Sequence, residues 1–184
     1  MFNQLLERIA LSLEQHQIPY MVIGGQAVLV YGEPRLTRDV DITLGVGPER
    51  LHDLLSIAES AGWRLLVEKP EEFVQRTCVL PLQDSKTGIR IDLIFSDSPF
   101  EQQAMDRVRL VEMGKATVRF AAVEDVIILK MVAGRPRDLE DVRGILAKNP
   151  EIGRGYIRDW LAEIDRDLGK DCGQAFDKLL RSLQ

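Results

Sequence analysis

The chain has 184 residues, enough for one domain or a domain with a small appendage, and a hydrophobic fraction of 45% allows a true core. Its 24 Lys and Arg against 29 Asp and Glu leave a formal charge of −5. That argues against wrapping of long nucleic acid through the overall field, while leaving room for a local basic pocket.

Cys78 and Cys172 are far apart and form no Cys-x-x-Cys motif, so reduced, packed thiols and a cytoplasmic location are expected. Glu7, Arg8 and Glu14 interrupt the apolar residues near the start, so no signal peptide is expected there. The uncharged stretch Ile18 to Gly32 is too short and too rich in glycine to cross a bilayer, so no membrane partner is expected. With His16 and His52 as the only histidines, a multi-histidine metal site is impossible.

Apolar spacing predicts an amphipathic helix over residues 2–16, ended by Ile18-Pro19. Tyr20 to Ile23 reads as a short buried strand, Gly24-Gly25 as a turn, and Gln26 to Tyr31 as a short helix stopped by Gly32-Glu33-Pro34. Val40 to Leu44 is a second strand. Pro48 suits a first helical position, and a helix follows to Ala61 with Gly62 as its cap. Trp63 to Val67 reads as a strand, Lys69-Pro70-Glu71-Glu72 as exposed loop, and Phe73 to Leu82 with Ile89 to Phe95 as a hairpin. A helix from Ser98-Pro99 to Val108, strands Arg109 to Glu112 and Ala116 to Phe120, and helices over 123–133, 138–148, 156–168 and 174–183 complete the pattern. The expected organisation is a core over 1–121 and a helical part over 122–184.

The chemistry concentrates between Gly24 and Asp41. Asp39 and Asp41 lie two apart on a strand, so their carboxylates share a face and repel unless a cation sits between them. Magnesium suits such a pair, because one or two carboxylates commonly hold it together with substrate phosphates. Asp92, central to the apolar strand Ile89 to Phe95, is costly unless paired or bound to a cation, and a third carboxylate would complete a site for two ions. Gly24-Gly25 between strand and helix lets backbone amides approach a phosphate, and Arg38 adds a nearby guanidinium. Alone, Asp39 and Asp41 would read as a strand end paired with Arg35 or Arg38; Asp92 shifts the balance toward a metal. Lys130, on a helix that is apolar almost all round, must snorkel or meet an anion. Arg135, Arg137 and Asp138 follow it closely. For that block, an Asp138 N-cap and an Arg137–Asp141 surface pair compete with a phosphate-facing cluster.

Gly24-Gly25, thirteen intervening residues, Asp39-Val40-Asp41-Ile42 and a later strand aspartate together resemble the signature of the DNA polymerase β-like nucleotidyltransferase superfamily. The segment from Lys130 through Gly134-Arg135-Pro136-Arg137-Asp138 to Asp141 resembles a block of the abortive-infection nucleotidyltransferase toxins of type IV toxin–antitoxin systems, the AbiEii type. The resemblance implies an α+β nucleotidyltransferase fold, a mixed β-sheet flanked by helices with a C-terminal helical part. It implies Mg2+-dependent transfer of a nucleoside monophosphate from a nucleoside triphosphate to a hydroxyl of an RNA (transfer RNA) or protein acceptor. The partner of a toxin would be a cognate antitoxin protein. By position, Asp39, Asp41 and Asp92 match the catalytic and metal-binding carboxylates, Gly24 and Gly25 the phosphate turn, and Lys130 and Asp138 functional residues of the toxin block. The alternative is a non-catalytic nucleotide-binding or partner-binding module that keeps the fold.

Overall fold

The structure, a computed structural model, describes residues 1–96 and 98–183, which form two compact units. The first comprises Met1–Gln26 and Leu36–Ala121; the second comprises Ala27–Arg35 and Ala122–Gln184. Among the described residues no helix is long and apolar enough to cross a membrane.

The first unit is built on a seven-stranded mixed sheet. Its strands are β1 (Tyr20–Ile23), β2 (Asp39–Leu44), β3 (Trp63–Leu65), β4 (Val79–Asp84), β5 (Arg90–Phe95), β6 (Arg109–Met113) and β7 (Ala116–Phe120), in the order β3-β4-β5-β2-β1-β7-β6. β2 pairs with β1 antiparallel and with β5 parallel, which places Asp92 of β5 beside Asp41 of β2, far apart in sequence. One face of β2 and β5 carries Val40, Ile42, Leu44, Ile91, Leu93 and Phe95, all buried, and the period of two sends the acidic residues to the other face. Helices α1 (Phe2–Gln15), α3 (Leu51–Ala61), α4 (Pro70–Thr77) and α5 (Pro99–Asp106) belong to this unit; α1 packs on β6 and β7, α3 on α1 and β3, and α4 on β4. A single 3-10 turn, Pro48–Arg50, leads into α3, and Gly62 ends α3 in the left-handed conformation that C-terminal caps favour.

One expected element is corrected. Residues 70–77 form α4, where the sequence suggested a loop running into a strand from Phe73. Pro70 occupies the first turn with Glu71 and Glu72 behind it, Arg76 sits in the last turn, and Cys78 closes the helix at φ +54. These charges match the helix dipole at both ends and outweigh the apolar run that suggested a strand. The strand begins only at Val79.

Asp84, at the end of β4, is fully buried and ties the hairpin loop to α1. Its Oδ2 accepts hydrogen bonds from Arg8 Nη2 at 2.8 Å, Thr87 Oγ1 at 2.6 Å and Thr87 N at 3.0 Å. Burial alone would raise this carboxyl, but the bonds from Arg8 and Thr87 outweigh it and hold the group below the ordinary carboxylate range. The unfolded chain therefore protonates first as pH falls. The stabilisation is complete above the unfolded value of about 3.9 and is lost on acidification through the lower folded value. Wild-type protein is expected to lose unfolding free energy more steeply below about pH 5 than Asp84→Asn, as read from denaturant midpoints at successive pH.

The second unit holds α6 (Val123–Ala133), α7 (Pro136–Lys148), α8 (Arg154–Leu168) and α9 (Cys172–Arg181), together with most of α2 (Gly24–Tyr31). α6 packs on α7, α8 and α9. Asn149 Nδ2 donates to the carbonyl of Tyr31 at 2.9 Å and Lys148 Nζ to that of Gly32 at 2.9 Å, satisfying carbonyls left open where α2 ends.

Candidate active site

Strand register assembles the acidic face. Asp39 lies opposite Arg90 and Asp41 opposite Asp92 across the parallel β2–β5 pair, so all four side chains rise from one face of the first unit's sheet. Adjacent strands run about 4.8 Å apart, so Asp41 and Asp92 are direct neighbours. Asp39 and Asp41 are half-buried. Thr37, itself buried, donates its hydroxyl to Asp39 Oδ1 and to the Asp39 carbonyl, each at 3.3 Å. Arg38, next along the chain, is exposed. Asp92 has a different partner: Arg90 Nε donates to both its oxygens, each at 2.9 Å.

The glycine turn meets this face directly. Ile23 at the end of β1 is in register with Asp41, and α2 starts at Gly24 itself. Gly24 has φ +63, and a methyl group placed on it would overlap Asp41 Oδ2 and lie 2.8 Å from Asp41 Cγ. Glycine is needed here twice, for the left-handed backbone and for the close approach to Asp41. Gly24→Ala is expected to cost about 1–2 kcal/mol of stability and to push the Asp41 carboxylate aside. A thermal melt checks the first effect; a loss of activity exceeding the loss of folded protein checks the second.

The donor set suits a hard divalent cation: oxygen ligands only, Asp39 and Asp41 on one face with Asp92 beside them. In the first turn of α2, the Gln26 side-chain nitrogen is buried and meets no hydrogen-bond acceptor among the described residues. Among the described residues no three His, Cys, Asp or Glu side chains are drawn close enough together to hold a metal ion as they stand. Asp39 is held by Thr37 and Asp92 by Arg90, with Asp41 in register between β1 and Asp92.

Lys130, Asp138 and Asp141 lie in the second unit and form a buried ionic network. Lys130 Nζ is 2.8 Å from Asp138 Oδ1 and 2.9 Å from Asp141 Oδ2. Arg35 Nε is 2.7 Å from Asp141 Oδ1, and Arg135 Nε is 2.6 Å from Asp138 Oδ2. Lys130 is only 6% exposed, so its ammonium meets its anions inside the unit. Asp138 is the third residue of α7: it accepts from the Arg135 backbone at 3.3 Å, closing a capping box in which Arg135 is the N-cap. Asp141 pairs with Arg35 and Lys130. Burial would raise the Asp138 carboxyl, but hydrogen bonds from Arg135 and Lys130 outweigh it and hold the group low.

Residues 2–176 match the profile of a family described as nucleotidyl transferase of unknown function (DUF2204). The chain belongs to this family. The DUF2204 protein is thereby a nucleotidyltransferase. Its fold is similar to that of the antibiotic-resistance factor ANT(2'')-Ia, with TM-score 0.62, 14% identity, and coverage of 91% of this chain and 92% of that one. It is also similar to a putative nucleotidyltransferase from H. pylori, with TM-score 0.51, 18% identity and coverage of 96% and 89%. The lincosamide antibiotic adenylyltransferase LnuA, solved with lincomycin bound, shares the fold at TM-score 0.50, 15% identity and coverage of 72% and 89%. No curated protein matches the DUF2204 chain.

Proposed function

We propose that this DUF2204 protein is a Mg2+-dependent nucleotidyltransferase that moves a nucleoside monophosphate from a nucleoside triphosphate to an acceptor hydroxyl. The observation that carries the reading is the register Asp41 opposite Asp92, with Asp39 on the same face and Gly24 against the Asp41 carboxylate. Asp39, Asp41 and Asp92 are the metal ligands, and Thr37 orients Asp39. Mg2+ held there would neutralise the triphosphate and lower the pKa of the attacking hydroxyl. The first-turn amides of α2 at Gly24 and Gly25 receive phosphate oxygens, and Arg38 adds a charge at the exposed edge. Asp92 takes the proton of the acceptor hydroxyl as its oxygen bonds to the α-phosphorus and the bond to pyrophosphate breaks.

In this reading Lys130 and Asp138 stabilise the second unit, because each engages opposite charge within it. The resemblance to abortive-infection toxins rests on this same block, so a toxin role is tested separately, by whether expression arrests growth and whether Asp39→Ala with Asp41→Ala relieves the arrest. For the acceptor, RNA and protein hydroxyls are the first candidates. The likeness to LnuA, with lincomycin in its site, adds small hydroxylated compounds as a third arm.

The test is transfer of label from each α-labelled nucleoside triphosphate, with Mg2+, to transfer RNA, protein and small polyols. Labelled product that forms with wild type and not after removal of Mg2+ supports the reading. Transfer that is indifferent to chelation of the metal contradicts it.

A further inference from the structure

On β5, Arg90 and Asp92 stand on the same face as Asp39 and Asp41, in register as two facing pairs, Asp39 with Arg90 and Asp41 with Asp92. Three carboxylates and one guanidinium thus share a patch two residues long on two strands. The guanidinium is not shared evenly: Arg90 Nε sits 2.9 Å from both oxygens of Asp92, so it covers the edge of the carboxylate through which a cation would be bound. The Asp92 side chain is 15% exposed, whereas Arg90 is 53% exposed. One partner is therefore fixed in the sheet, and the other has room to turn into solvent.

We propose that Arg90 is a latch on the third carboxylate: it neutralises Asp92 in the metal-free protein and is displaced when a divalent cation binds at Asp39, Asp41 and Asp92. The proposal rests on the reading of these aspartates as a metal site. Without a cation, neighbouring carboxylates on one sheet face repel as they approach one another, and Arg90 offsets the charge of Asp92. With a cation bound, Asp92 carries more favourable charge toward the metal than toward a half-exposed guanidinium, whose attraction water screens. Metal affinity is then set by a competition, and Arg90 lowers it. Arg90 is a positioning residue here, acting through Asp92.

The experiment is Mn2+ binding, followed by the electron paramagnetic resonance signal of the free ion, since Mn2+ takes the same oxygen ligands as Mg2+. Wild type, Arg90→Gln, Asp92→Asn, the Arg90→Gln/Asp92→Asn double variant and Asp39→Ala/Asp41→Ala are compared, with circular dichroism confirming that each is folded. Arg90→Gln is expected to bind Mn2+ about 3- to 10-fold more tightly than wild type, and to make no difference once Asp92 is asparagine. Equal tightening with and without Asp92 would mean only that a nearby positive charge has gone, and overturns the latch. Unchanged or weaker binding in Arg90→Gln overturns it as well, while leaving the metal site standing. Mn2+ uptake that survives loss of Asp39 and Asp41, or no uptake by wild type, overturns the metal reading and the latch with it.

Discussion

Replacing Asp39 and Asp41 together by alanine is expected to reduce nucleotidyl transfer by about three orders of magnitude and to leave the fold intact. The size follows from what the pair does. Both carboxylates rise from one face of β2, opposite Arg90 and Asp92 on β5, and losing them removes the charge that holds a cation against the triphosphate. Removing a ligand that matters in the transition state costs several kcal/mol of barrier, and each 1.4 kcal/mol is about tenfold in rate. Stability behaves differently. Neither side chain belongs to the apolar core, so the melting temperature of the double variant is expected to stay within a few degrees of wild type. Asp39→Asn with Asp41→Asn separates charge from volume: the amides fill the same space, and activity is expected to fall as far. Initial rates at matched protein concentration, beside thermal melts, read both effects.

Lys130→Met is expected to do the reverse, lowering stability by about 3 kcal/mol. Lys130 is buried on α6 and stands between Asp138 and Asp141, at 2.8 Å and 2.9 Å. Methionine fills the space of the apolar stem but leaves both carboxylates short of a counter-charge. Each keeps one arginine, Arg135 on Asp138 and Arg35 on Asp141, which places the loss at the lower end of the range for a broken buried pair. For a chain of this length, a melting midpoint lower by about 6–12 °C follows. Asp138 also sets the pH dependence. Its carboxyl is held low in the folded protein, so its contribution is present above about pH 4 and is lost on further acidification. Lys130→Met is expected to flatten that acid limb. An unchanged melting temperature combined with a raised KM for the triphosphate would instead assign Lys130 to phosphate binding.

The sheet face was readable in the sequence, and its partners were not. A period of two places Asp39 with Asp41, and Asp92 opposite the apolar side of its strand, from local pattern alone. The register that makes Asp41 and Asp92 neighbours joins strands far apart in sequence, and no local pattern fixes it. Arg90 was visible as a neighbour of Asp92, but which carboxylate it pairs with depends on a side-chain torsion. Thr37 carries a local signal: a threonine two residues before an aspartate is placed to bond it, as Thr37 does with Asp39. Lys130 was marked as needing an anion, and the anions proved to be Asp138 and Asp141, one and two turns into the next helix. Helix α4 was hidden because Phe73 and Val74 continue an apolar run into β4, whereas the end charges and Pro70 that define it are weak signals over eight residues.

Asp39 and Asp41 are expected to bind a nucleoside triphosphate through a divalent cation. Isothermal calorimetry with each nucleoside triphosphate, with and without Mg2+, tests this without knowledge of the acceptor. Wild type is expected to bind one triphosphate only when Mg2+ is present, and Asp39→Ala with Asp41→Ala to show no such binding. Triphosphate binding of equal strength in the double variant, or in wild type stripped of divalent cations, would contradict the account.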